Sequence, residues 1–146
     1  MNIDRLVDTL QVDEGTGPMK TGRHMPYRDS VGLLTIGFGR CIERIGITPD
    51  EAEYLLANDI ARTVSELTAV FPWFPTLDDV RQRAVANLTF NIGLDGVLKF
   101  AKMLHAIQMG DWVTAEVELL SSLYARQVGQ RAVRLGRMLR TGDDPA

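Results

Sequence analysis

Ile3, Leu6, Val7 and Leu10 recur at three- and four-residue intervals, with Asp4, Arg5, Asp8 and Thr9 between them. That is one apolar face of an amphipathic helix, and it predicts a helix over about residues 2–13. The texture then changes. Six of the thirteen glycines fall between residues 15 and 39, and short β-type runs such as Leu33-Leu34-Thr35-Ile36 lie among them, which predicts a small twisted hairpin or meander. Thr48-Pro49-Asp50-Glu51 is a helix start: Thr48 can cap, Pro49 suits the first helical position and Glu51 completes a capping box. Ala52, Leu55, Leu56, Ile60, Val64 and Leu67 keep a helical period to about Val70, where Phe71-Pro72-Trp73-Phe74-Pro75 ends it. Thr76-Leu77-Asp78-Asp79 opens another helix that ends near Gly93, Gly96 and Gly110 bound a third, Asp111 caps a fourth from Trp112, and a last one covers about 130–141 before Gly142. The class is α+β and mostly helical.

A chain of 146 residues is enough for one domain with one main core. With 45% hydrophobic and 24% charged residues it lies outside the disordered, collagen-like and coiled-coil classes. Sixteen Lys and Arg against nineteen Asp and Glu leave a net charge of −3, too weak a global field to name a partner. The single cysteine, Cys41, excludes an intrachain disulfide. His24 and His105 lie far apart with no Cys or His beside them, which excludes a zinc ribbon. No stretch approaches the roughly 20 apolar residues of a membrane helix. The opening Met-Asn-Ile-Asp-Arg carries no signal-peptide pattern, so synthesis in a cytosol is expected, with help needed to reach any target beyond a membrane.

Asp13 and Glu14 close the first helix at the negative end of its dipole, where acids work against helix stability. They are either solvated surface acids or placed there for chemistry. Asp29 sits at a turn before Ser30-Val31-Gly32, and its plain reading is an Asx-turn residue bonding its own backbone. Taken together, Glu14, Asp29 and Thr35 offer a proton donor, a carboxylate and a hydroxyl on one small glycine-rich lobe. That set suits glycoside hydrolysis, in which one carboxylic acid protonates the leaving oxygen while the other carboxylate directs a water. His24 reads as an exposed loop residue and His105 as a helix-surface or packing residue. Cys41 reads as an inert, partly buried thiol, and Met103 and Met138 fit helix cores.

Several motifs in order give these residues a common context. They are Asp13-Glu14-Gly15, then Tyr27-x-Asp29-x-x-Gly32-x-x-Thr35-Ile36-Gly37-x-Gly39, Thr48-x-Asp50-Glu51-Ala52-Glu53, Phe90-Asn91-Ile92-Gly93, and Arg131-Ala132-x-Arg134 through Arg140-Thr141-Gly142. Over nearly the whole chain the sequence resembles the phage lysozyme family, glycoside hydrolase family twenty-four, of the T-even bacteriophage type. The resemblance implies a single lysozyme-like domain, 1–146, with a small β-hairpin lobe over about 14–58. A long helix would join it to a helical lobe over about 59–146 that also takes in the N-terminal helix, with a cleft between the lobes. It implies Glu14 as general acid, Asp29 and Thr35 as the groups that position the water, Phe90 in the cleft and Arg131 near the glutamate. The bond cut would be the β-1,4 link between N-acetylmuramic acid and N-acetylglucosamine in peptidoglycan, with inversion and without a metal or cofactor.

The chain departs from the family pattern in two places. Fourteen residues, Gly15 to Arg28, separate Glu14 from Asp29 where relatives usually have about eight, an insertion around Pro18 to Pro26 of a kind that loop closure tolerates cheaply. Arg40 stands where histidine is common, and the aligned helix position implies that it pairs with Asp59 as a permanently charged contact. The resemblance further implies a bacteriophage endolysin: a monomer made in the bacterial host cytoplasm, released through a holin-breached membrane without inserting stably in it, and lysing the cell.

Two other readings compete. The five arginines between Ser121 and Gly142, among them Arg131, Arg134, Arg137 and Arg140, resemble a nucleic-acid surface. They step by three around a helix in an acidic chain, so attraction to an anionic bacterial envelope accounts for them with less strain, and no nucleic-acid partner is expected. The nearer alternative is a lysozyme-like module that binds peptidoglycan without cutting it; the presence of Glu14, Asp29 and Thr35 argues against that loss.

Overall fold

A computed structural model describes residues 1–144 as a mostly helical α+β chain in two units, Met1–Glu53 and the stretch from Tyr54 onward. The first unit begins with α1 (Ile3–Glu14), whose Asn2 cap accepts from the Arg5 N–H at 3.0 Å. Gly15, at φ +66°, ends the helix in a conformation that suits a residue without Cβ.

The glycine-rich segment forms two separate antiparallel pieces. Strands β1 (Met19–Lys20) and β2 (Arg23–His24) pair Met19 with His24 and Lys20 with Arg23 across a two-residue turn. Thr21 and Gly22 both have positive φ, 48° and 75°, as a type I′ hairpin requires. Strands β3 (Tyr27–Arg28), β4 (Leu34–Ile36) and β5 (Arg40–Cys41) form a three-stranded sheet in that order, with Tyr27 opposite Thr35 and Thr35 opposite Cys41.

A short α2 (Ile42–Ile45) follows, and its Glu43 carboxylate accepts from the Leu34 N–H and from Arg28, each at 3.0 Å. The capping box opens α3 (Pro49–Val70) as the sequence predicts: the Glu51 N–H donates to Thr48 Oγ1 at 3.2 Å, and Glu51 Oε2 accepts from the Thr48 N–H at 2.7 Å. That N–H, together with the Arg40 guanidinium, holds the Glu51 carboxyl below its ordinary value.

The second unit carries the apolar core. Helix α4 (Asp79–Leu98) starts from the Asp78 cap and is broken at Gly93 (φ 74°, ψ 164°), where the sequence predicts an end, before a further turn to Leu98. Helices α5 (Ala101–Met109) and α6 (Trp112–Leu120) meet at Gly110 and the Asp111 cap. A six-residue α7 (Leu123–Val128), not anticipated from periodicity, precedes α8 (Gln130–Thr141). Leu67, Phe74, Val85, Leu88, Met103, Ile107, Leu119 and Leu139 are all but fully buried together, and Met138 joins them. Gly136 lets α8 approach α6 closely, since a Cβ there would lie 3.2 Å from Glu116 Cγ.

Candidate active site

Glu14 is the last residue of α1, and its exposed carboxylate folds over the β4–β5 turn. A Cβ built on Gly39 would lie 2.5 Å from Glu14 Oε2 and 2.9 Å from Cδ, so a side chain there would shift the carboxylate from this position. Gly39 also has φ +75°, which glycine adopts without strain. The Gly-x-Gly at 37–39 was visible in the sequence, but the packing of the acid on its second glycine was not.

Asp29 and Thr35 converge on one residue of the neighbouring hairpin. Asp29 Oδ1 accepts from the Leu33 N–H at 2.9 Å and from the Val31 N–H at 3.0 Å, while the Asp29 N–H donates to the Leu33 carbonyl at 2.9 Å. Thr35 Oγ1 donates to the same carbonyl at 3.1 Å. Asp29 is therefore an Asx-turn residue and a fixed carboxylate at once, since both turn bonds fall on Oδ1. Tyr27 lies directly opposite Thr35 and Asp29 is two residues further along, so strand alternation puts all three on one side of the hairpin. Thr35 is 3% exposed and is the one buried polar side chain of this unit among the described residues. Glu14, Asp29 and Thr35 thus belong to one unit, the acid at the β4–β5 turn and the other pair on the β3–β4 hairpin.

Arg40 does not take the partner expected for it. Its guanidinium binds Glu51 at 2.8 Å and 2.9 Å and the Gly46 carbonyl at 2.8 Å and 3.0 Å, while Asp59 is occupied by Arg62 at 2.7 Å. Glu51 already faces back toward the helix start through its capping bond, which makes it the nearer anion. His24 is also corrected: it is half-buried on β2, with Nδ1 2.8 Å from the Thr16 carbonyl and its ring edge-on to Phe38 at 5.2 Å.

Phe90 and Arg131 lie in the second unit, on a groove of about 810 Å³ that Leu56, Ile60, Asn87 and Arg134 also line. Phe90 is 44% exposed there. Arg131 is fixed by Asn87, whose Oδ1 accepts from Nε at 3.0 Å and from a terminal nitrogen at 2.9 Å. The sequence offered no signal for Asn87. Among the described residues no group of three or more His, Cys, Asp or Glu is placed to hold a metal ion, and no helix is long and apolar enough to cross a membrane.

Known proteins bear on this geometry. The phage lysozyme family matches residues 19–138, a span that includes Asp29, Thr35, Phe90 and Arg131 and begins after Glu14. Probable T4-type lysozyme 1 of Dictyostelium discoideum is 25% identical, and probable T4-type lysozyme 2 of the same organism is 27% identical, each with 96% of both chains covered. The pre-baseplate central spike protein Gp5 of Enterobacteria phage T4 is 30% identical over 94% of the chain, which spans 28% of that longer protein. Because the match runs from the sheet through the long helix to the last helix, the chain belongs to the phage lysozyme family, a family of glycoside hydrolases whose substrate is peptidoglycan.

Proposed function

We propose that the protein is a muramidase of the endolysin type that hydrolyses the β-1,4 bond between N-acetylmuramic acid and N-acetylglucosamine with inversion at the anomeric carbon. Glu14 protonates the departing glycosidic oxygen. Asp29 uses Oδ2, the oxygen left free by its turn bonds, to accept one proton of a water molecule. Thr35 spends its donor on the Leu33 carbonyl, so its oxygen accepts the other proton. A water held by both protons presents a lone pair to the anomeric carbon from the side opposite Glu14. Inverting glycosidases keep their two carboxyl groups roughly 6.5 to 9.5 Å apart to admit that water. No covalent intermediate and no cofactor take part.

The observation that supports this reading best is the fit of the Glu14 carboxylate onto Gly39 in the unit that also pins one oxygen of Asp29. The biological setting we infer is synthesis in the host bacterial cytoplasm, release through a holin-breached membrane, and lysis by wall degradation. The 30% identity to a phage spike protein supports a second setting, the same hydrolase carried in a virion; detection of the chain in purified particles separates the two. The test of the chemistry is Glu14→Gln on purified peptidoglycan. Turnover should fall by at least about a hundred-fold with the melting temperature kept, as removal of a general acid demands. Undiminished turnover would remove Glu14 from the mechanism, and a folded wild type that binds but never cuts would favour the non-cutting module.

A further inference from the structure

The residues inserted between Glu14 and Asp29 are an ordered hairpin fixed beside the acid. The Met25 N–H donates to the Pro18 carbonyl at 2.8 Å. Gly17 lies so close to the Tyr27 ring that a Cβ there would be 2.7 Å from Cε1. His24 is bonded to Thr16 and packs on Phe38, the neighbour of the Gly39 that Glu14 covers. Both ends of β1–β2 are therefore anchored on the sheet that carries Asp29 and Thr35.

The hairpin is built against its own stability. Lys20 and Arg23 are exposed and directly opposite each other, and among the described residues neither takes part in an ion pair. Like charges facing across a ladder destabilise it, and this ladder has only two pairs. At the tip Thr21 is the one non-glycine described residue with positive φ, 48°, a strained position for a β-branched side chain where Asn, Asp or Gly is favoured. An anion between the two cations would turn the repulsion into a contact for both, with the arginine fork suited to a carboxylate.

We infer that Lys20 and Arg23 form a subsite for the carboxylates of the peptidoglycan stem peptide. This rests on the muramidase reading: Lys20 and Arg23 stand on the face of the hairpin opposite Met19 and His24, so a stem extending from a glycan at Glu14, rather than the sugar itself, is what would reach them. The sugar rings offer hydroxyl and acetamido groups, whereas the stems carry the carboxylates.

The test compares wild type with Lys20→Gln/Arg23→Gln on peptidoglycan freed of other wall polymers, and on the same material after carbodiimide coupling with ammonia has converted the stem carboxylates to amides. The ratio of kcat/KM for untreated over amidated strands should fall about five-fold in the variant, mostly through KM, and the difference should shrink as salt rises. An unchanged ratio overturns the subsite, and where it comes with an equal loss on both substrates the pair belongs to the glycan itself. Retention of each protein on insoluble untreated and amidated peptidoglycan gives a readout that needs no cleavage. Wild type that cuts neither substrate defeats the muramidase reading, while a five-fold weaker preference of the variant for untreated over amidated peptidoglycan in the retention assay would still uphold the subsite and an equal preference would sink it.

Discussion

Glu14 and Gly39 are separated by the whole insertion and most of the sheet, yet the placement of the acid depends on the missing side chain of the glycine. Gly39→Ala would force the carboxylate off its seat and place alanine at φ +75°, a conformation that costs an L-residue roughly 1–2 kcal/mol. We expect kcat to fall at least about ten-fold with KM little changed, because a displaced acid loses alignment with the glycosidic oxygen more than it loses affinity for sugar. Steady-state kinetics on soluble glycan strands, beside a melting curve, would check this; a loss of stability with kcat intact would make Gly39 structural only. The chemical types at positions 14, 29 and 35 were legible in the sequence because acids at a helix C-terminus and at a glycine-rich turn stand out locally. The seat on Gly39, the bond from Asn87 to Arg131 and the Arg40–Glu51 pair were not, since each depends on which side chains meet in space.

At the scale of elements the ends of the helices are the best-determined features. Thr48, Asp78 and Asp111 each accept from a backbone N–H three residues on, and these starts were readable because capping is a local contest between side chain and backbone. α7 was missed because six residues are too few for a periodic pattern. Asp78 has a second role: it binds Arg81 at 2.6 Å, and Arg81 donates to the Leu139 and Arg140 carbonyls at the end of α8 while stacking over Trp112 at 4.0 Å. Burial pushes the Asp78 carboxyl up, but the hydrogen bonds and charge of Arg81 outweigh it and hold the group below its ordinary 3.8. A carboxyl depressed in the folded state adds stability that is fully present above its unfolded value and is lost as pH falls through the folded one. Asp78→Asn should therefore lower the melting temperature at pH 6 and narrow the gap to wild type below pH 3.8. A gap that stays constant down to pH 2 would contradict this.

For the whole molecule, fold class followed from pattern: a helical period over most of the chain and a glycine-punctuated stretch between residues 15 and 39 leave little but a mostly helical α+β arrangement. The distribution of the core did not follow. All the buried apolar residues described belong to the second unit, while the first is held by short ladders, the Asx turn, the Glu43 contacts and the capping box. Periodicity records which face of a helix is apolar and not what covers it: most of the apolar positions of α1 and α3 are exposed. The proposed chemistry sits on the lightly packed unit, where carboxylates and glycines take the place of apolar contacts. The reaction proposed there is direct displacement by water, with Glu14 as acid and Asp29 and Thr35 as water-holding groups. Proton NMR of the first products of peptidoglycan strand cleavage, recorded before mutarotation, tests it most directly. Inversion gives a new reducing end that appears first as the α-anomer; a β-anomer formed first would mean retention and a different mechanism.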